Sequence, residues 1–171
     1  MSRSRPLTEA ESAAARLVFG TSLDLSRVRV GTSALIGAFA RARTPFQTAW
    51  FPPGAIGSPG YLPWLIHELT HAWQTQHAVS FWTKLGWGLS TIVGNPYDFG
   101  GEAGLLAAAA AGKRFVDFNT EQQGDLCRSY YLTLTGGGDT GAFAPFIEEL
   151  RSYGAGSSAG GAPAAGGGSD G

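Results

Sequence analysis

A pair of histidines, His67 and His71, stands near the middle of this chain of 171 residues, separated by three residues. They lie in residues 62–77, a segment without glycine whose single proline, Pro63, stands near its start, where a helix tolerates it. Positions four apart on an α-helix differ by about 40° around the axis and by one turn along it. The sequence therefore predicts a central helix that presents two imidazole rings to one point.

Glu68 directly follows the first histidine, which completes the pattern HExxH. In this pattern the two imidazoles bind Zn²⁺, and the glutamate takes a proton from water and later gives it to the leaving group. The alternative is a pair of helical histidines that are satisfied in a core or on a surface. Because two of the three histidines lie in the motif, we interpret it as half of a catalytic zinc site. The flanking residues are apolar, as in a buried helix: Leu65, Ile66, Leu69, Ala72 and Trp73.

A catalytic zinc site needs a third protein ligand, and His77 is one candidate. It follows His67 at the spacing of the pattern HExxHxxGxxH, but Gln74 stands where that pattern has glycine. If the helix continues, His77 points about 120° away from His71 and lies about 9 Å further along the axis. This candidate therefore requires the helix to end early.

Glu121 is the second candidate, and Asp125 lies four residues after it on a predicted helix that Asn119 or Thr120 can cap. This arrangement resembles that of the gluzincins, zinc peptidases in which a glutamate from a second helix binds the metal. The resemblance implies that Glu121 is a ligand and that Asp125 accepts the other ring proton of a histidine. A solvated acidic face is the alternative. Arg128 shares this face and could pair with Asp125.

Tyrosines near the site could donate a hydrogen bond to the negative charge that develops during hydrolysis. Tyr130 and Tyr131 follow on the same predicted helix, and Tyr131 lies closer to the face of Glu121, so Tyr131 is our catalytic candidate. Packing in the core is the alternative for both. Tyr97 could line the cleft or pack elsewhere.

The rest of the chain predicts an α+β fold, mainly helical, with a small β-sheet beside the histidine helix. Thr8 and Glu11 form a capping box at the start of a helix that Gly20 ends. Residues 27–30 alternate like a short half-buried strand, and the aromatic segment 47–51 can also be extended, so both could supply strands. The helix that carries Glu121 is expected to reach about Leu134, and another to run from Asp139 or Thr140 to about Tyr153.

Residues 1–153 are expected to form one domain. Residues 154–171 consist almost entirely of Gly, Ala, Ser and Pro and are predicted to be a disordered tail. A net charge of −1 with 15% charged residues provides no basic surface for nucleic acid. The single cysteine, Cys127, excludes an intramolecular disulfide and fits a reducing compartment.

No stable membrane span is expected, and no secretory signal peptide is recognised at the basic N-terminus. The apolar stretch 103–112 is too short to cross a bilayer. The aromatic segment 78–94 is interrupted by Lys84 and three glycines, so we interpret it as a covering loop or short helix. An interfacial membrane patch is its alternative.

Four segments together resemble a family of short bacterial proteins described as Vgr-related or Rhs-associated. They are residues 5–20, 26–30, 67–74 and 118–123, and the resemblance spans about residues 5–150. These proteins are related to metallopeptidase core domains found near contractile injection and type VI secretion systems. The resemblance implies a zincin catalytic unit and favours Glu121 over His77. It also implies a cytoplasmic protein, or one exported by a secretion system that needs no signal peptide.

Two functions follow from these features. The first is a zinc-dependent metallopeptidase of narrow specificity that acts on a peptide or protein, with Glu68 as general base. The second is a non-catalytic zinc-binding module that docks on secretion-apparatus proteins through the aromatic segment 81–87.

Overall fold

A computed structural model describes residues 3–34, 47–77 and 97–153. These residues form a mainly helical α+β fold with a small sheet, as predicted. The strands are β1 (Arg3–Pro6), β2 (Arg29–Thr32) and β3 (Thr48–Phe51). The α-helices are α1 (Glu9–Phe19), α2 (Tyr61–Gln76), α3 (Gly101–Ala110), α4 (Thr120–Thr135) and α5 (Ala144–Ser152).

The sheet has the order β1-β2-β3, with β1 antiparallel and β3 parallel to β2. Val30 of β2 and Ala49 of β3 are paired and fully buried. The predicted strand over 27–30 begins instead at Arg29, because Leu25–Arg27 form a 3-10 helix capped by the Asp24 side chain. Gln47 lies outside β3 and has a φ of 64°. The sequence did not predict β1, which has no apolar alternation.

Two helices begin at side-chain caps, at the positions that the sequence predicts. The capping box of Thr8 and Glu11 opens α1. A second box, formed by Asn119 and Gln122, opens α4 and so fixes the start of the helix that carries Glu121.

The last helix begins later than predicted, at Ala144 rather than at Asp139 or Thr140. The Asp139 carboxylate accepts a hydrogen bond from the Gly141 amide, which makes a turn there instead of a helical cap. Pro145 then lies in the first turn of α5, where its missing N–H costs no hydrogen bond.

Helices α2 and α4 form the most extensive helix pair among the described residues, and α1 packs against both. Trp73 of α2 is fully buried and contacts the rings of Phe115 and Tyr153. Its indole N–H donates to the Ser22 hydroxyl. The interior side of α2 is therefore fixed by packing, which leaves its histidine side to face α4. Cys127 is buried, as expected of a small apolar residue.

Three predictions fall on residues outside those that the structure describes: the covering loop at 78–94, its docking role at 81–87 and the tail at 154–171. Within the described ranges, no helix combines the length and hydropathy that a bilayer crossing requires.

Candidate metal centre

The structure brings together His67 and His71 of α2 with Glu121 of α4. One ligand atom from each of the three lies within 4.8 Å of the others. Nε2 of His67 lies 3.3 Å from one carboxylate oxygen of Glu121, and Nε2 of His71 lies 3.7 Å from the other. The two imidazole planes are nearly perpendicular, with ring centres 5.1 Å apart. Both Nε2 atoms thus converge on one carboxylate.

The opposite nitrogen of each ring is held by a different partner. Nδ1 of His67 lies 3.0 Å from a carboxylate oxygen of Asp125. Nδ1 of His71 lies 3.0 Å from the side-chain oxygen of Gln74, one turn further along α2. Because an acceptor oxygen faces each Nδ1, that nitrogen of each ring can donate a hydrogen bond to it.

Electrostatics at the site favour cationic character on His67. Burial lowers the pKa of His67, but its hydrogen bonds to Asp125 and Glu121, together with the nearby charge of Glu68, outweigh burial and raise it to about 9. The same hydrogen bond with His67 lowers the pKa of Glu121. The three carboxylates of Asp125, Glu121 and Glu68 therefore favour the protonated form of this ring.

Glu68 and Arg128 complete the charged surroundings. The Glu68 side chain belongs to the same helix and is almost entirely buried, with 4% of its surface exposed. The Arg128 guanidinium lies 3.6 Å from Asp125 and is half exposed, so the pair that the sequence suggested is present. Its solvent exposure limits its energetic contribution to about 1 kcal/mol or less.

His77 is directed away from the candidate centre. It ends α2 as the residue that follows Gln76, and its Nε2 donates a 2.7 Å hydrogen bond to the carbonyl oxygen of Ser22. Its ring also packs against Trp73 and Tyr153. The helix continues past Gln74 without the turn that the HExxHxxGxxH pattern requires, so His77 reaches the opposite side of α2.

The three candidate tyrosines have different surroundings. Tyr131 lines a cleft of about 590 Å³ together with residues of α1 and of the start of α2. The Tyr130 hydroxyl accepts a hydrogen bond from Arg151. Tyr97, at the start of the segment that leads to α3, has its ring centre 6.2 Å from that of His67. Among the three, Tyr97 is therefore the tyrosine whose ring lies beside a candidate ligand.

Two residues at the site, Gln74 and Gly124, have roles that the sequence expectations do not include. In the sequence, Gln74 is a departure from the glycine of the HExxHxxGxxH pattern, and its position three residues after His71 places it beside that ring. Gly124 lies inside α4 with its Cα against the His67 ring. A glycine inside a helix costs about 1 kcal/mol relative to alanine, and this cost was the available signal of a close approach.

No known protein-family profile matches the chain. It is similar to the type VI secretion system spike protein VgrG2b of Pseudomonas aeruginosa, at 30% identity over 168 residues that include 87% of this chain. The match spans only 15% of the length of that protein. The chain is also similar to the solved effector domain of Pseudomonas aeruginosa VgrG2b, with a TM-score of 0.57, 28% identity and 82% of each chain covered. These similarities confirm the Vgr-related part of the resemblance.

Proposed function

We propose that this chain, a relative of a type VI secretion effector domain, is a zinc-dependent peptidase. The observation that carries the proposal is the convergence of the Nε2 atoms of His67 and His71 on the carboxylate of Glu121, while Nδ1 of each ring is held by another side chain. A histidine pair that only fills a core has no need of two rings whose Nε2 atoms point to one place.

The residues present fit a zinc ion. Two imidazole nitrogens and one carboxylate oxygen are ligand types that zinc favours, at bond lengths of about 2.0–2.2 Å. Separations within 4.8 Å need only a small closure around an ion of that size. Three protein ligands leave the fourth position open, as in catalytic rather than structural sites. When bound, zinc supplies a Lewis acid that polarises a carbonyl oxygen and makes water nucleophilic near neutral pH.

The protein's own groups would carry the proton transfers. Glu68 follows His67 on α2, and its buried carboxylate would take a proton from the attacking water and give it to the leaving amine nitrogen. Asp125 would hold His67 by accepting its Nδ1–H. Tyr131 is one proposed hydrogen-bond donor to the developing negative charge. Tyr97 is a second, because its ring centre lies 6.2 Å from that of His67.

The substrate class that suits this chemistry is a peptide or protein. The similarity to a spike protein further suggests association with a secretion apparatus, and delivery by that apparatus without a signal peptide. The described domain is small for a zinc peptidase, so we propose a narrow specificity.

Zinc analysis combined with one substitution tests the proposal. Purified protein is expected to hold one zinc per chain and to cleave members of a peptide library derived from a bacterial lysate, read by mass spectrometry. Glu68→Gln should keep the zinc and lower the rate about 10²- to 10⁴-fold, because it loses only the general base. Glu102→Gln, an exposed change in the first turn of α3, is the matched control. It should leave the zinc content and the cleavage rate unchanged.

Two outcomes would contradict the peptidase. If the purified protein neither contains zinc nor takes it up, the proposed metal centre is wrong. Zinc-loaded Glu68→Gln protein with the same biological activity as the wild type would instead favour the non-catalytic docking module.

A further inference from the structure

Two buried glutamines connect His71 to the main chain at the start of α4. The Gln74 side-chain amide lies 2.8 Å from the side-chain oxygen of Gln123 and 3.0 Å from the carbonyl oxygen of Thr120. The Gln123 amide in turn donates to the carbonyl oxygen of Phe118 at 2.8 Å. Gln74 is 2% exposed and Gln123 is fully buried, so water does not compete for these bonds. Together with the bond to His71, they form a continuous chain.

The direction of every bond in this chain is set by the backbone. A carbonyl oxygen only accepts, so Phe118 requires the NH₂ group of Gln123 and turns the Gln123 oxygen towards Gln74. That oxygen and the carbonyl of Thr120 both require the NH₂ group of Gln74. The Gln74 oxygen must then face His71, where it can only accept. Nδ1 of His71 therefore donates to Gln74, whereas Nε2 lies 3.7 Å from Oε1 of Glu121, which is too far for a hydrogen bond.

We propose that Gln74 and Gln123 are positioning residues that hold His71 as the Nδ1–H tautomer, so that its Nε2 lone pair is directed at the candidate metal centre. The role of this tautomer in binding zinc rests on the proposed function. The tautomer itself follows from hydrogen bonding alone and is measurable without a substrate.

The two candidate ligands are thereby oriented by different chemistry. His67 is held by the Asp125 carboxylate, which is partly exposed and also contacts Arg128. His71 is held by uncharged amides in the interior. A neutral acceptor fixes the ring without adding charge, and a flipped Gln74 amide would turn its oxygen towards two other acceptor oxygens. The flipped amide would leave buried polar groups without hydrogen-bond partners, which is strongly unfavourable in the interior.

The test is the nitrogen NMR spectrum of the His71 ring, recorded on metal-free protein at a pH where the ring is neutral. Wild-type protein is expected to show protonated Nδ1 and unprotonated Nε2. Gln74→Leu should give a mixture of tautomers and lower the affinity for zinc about 10- to 100-fold. Gln123→Leu should have a smaller effect in the same direction, because Thr120 still orients Gln74.

Gln76→Leu is the matched control. Gln76 lies on the same helix, and its side-chain hydrogen bonds go to Asp24 and Gln47 rather than to His71. The substitution should leave the tautomer and the zinc affinity unchanged. A wild-type ring protonated at Nε2 would overturn the proposal even if a variant fails to fold, as would an unaltered tautomer in Gln74→Leu. Wild-type protein with the expected tautomer that binds zinc but cleaves no peptide would contradict the peptidase alone.

Discussion

Gly124 of α4 lies directly against the imidazole ring of His67. A Cβ atom on Gly124 would stand 2.7 Å from Cε1 and 2.8 Å from Nδ1 of that ring, closer than real Cβ contacts occur. The missing side chain allows α2 and α4 to approach until Glu121 and Asp125 reach the two nitrogens of His67. One glycine therefore sets the geometry of the candidate centre.

Gly124→Ala is expected to weaken zinc binding by at least about tenfold, because the ring must move away from its carboxylate partners. Alanine is the better helix former by about 1 kcal/mol, so the loss would come from the contact and not from the helix. Calorimetric titration with zinc measures the effect. Ser129→Ala, on the same helix, should bind as the wild type does. Unchanged affinity in Gly124→Ala would show that the ring is not confined.

Substitutions of Glu121 and Asp125 should show which of the two binds zinc directly and which only orients His67. Glu121→Gln removes the anionic donor and is expected to reduce zinc affinity more than Asp125→Asn, for which we expect a loss of about 10- to 100-fold. His77→Ala should leave the affinity unchanged, because His77 bonds to Ser22. The same titrations provide the measurement. A zinc affinity that falls in His77→Ala but not in Glu121→Gln would reverse the assignment of the third ligand.

The two tyrosine candidates can be compared by removing one hydroxyl at a time. We expect Tyr97→Phe to lower kcat by about 10- to 100-fold with little change in KM, because its ring lies beside His67. Tyr131→Phe should have the smaller effect, since Tyr131 lines a cleft with Arg5, Glu11 and other residues. Zinc content should be the same in both variants. A larger loss in Tyr131→Phe would support the prediction from helical spacing.

Acid sensitivity is predicted at a buried carboxylate away from the metal centre. Glu11 accepts hydrogen bonds from Arg5, from the Tyr61 hydroxyl at 2.6 Å and from the Thr8 amide at 2.7 Å. Burial raises the pKa of Glu11, but these bonds together outweigh it and lower the pKa from 4.5 to about 2. Because the pKa of Glu11 is lower in the folded protein than in the unfolded chain, its ionisation stabilises the fold at pH values above about 4.5. This contribution disappears as the pH falls from about 4.5 towards 2.

Glu11→Gln should therefore lose about 2 kcal/mol of the free energy of unfolding at pH 7 and little at pH 2.5. Urea denaturation of metal-free protein at both pH values measures the difference. Metal-free conditions keep the histidines from binding zinc in either variant. An equal loss at both pH values would indicate that packing, and not ionisation, explains the effect.

Much of the fold was predictable because its signals are local. The capping boxes at Thr8 and Asn119 mark helix starts through bonds between residues three apart. The fold class and the helical context of His67 and His71 followed in the same way and are confirmed. Strand β1 was missed because an edge strand gains its hydrogen bonds from a partner, Arg29–Thr32, that is distant in sequence.

Helical periodicity fixes which residues lie side by side, so the amino-acid sequence was enough to place His67, Glu68 and His71 on one helix. It was also enough to place Glu121 and Asp125 on one face of another. The three-dimensional packing was needed to show that these faces meet, that Gln74 and Asp125 hold the Nδ1 atoms and that His77 bonds to Ser22. These relations depend on how closely and at what angle two helices pack. That packing is set by long-range contacts such as Gly124 against His67, which no local pattern encodes.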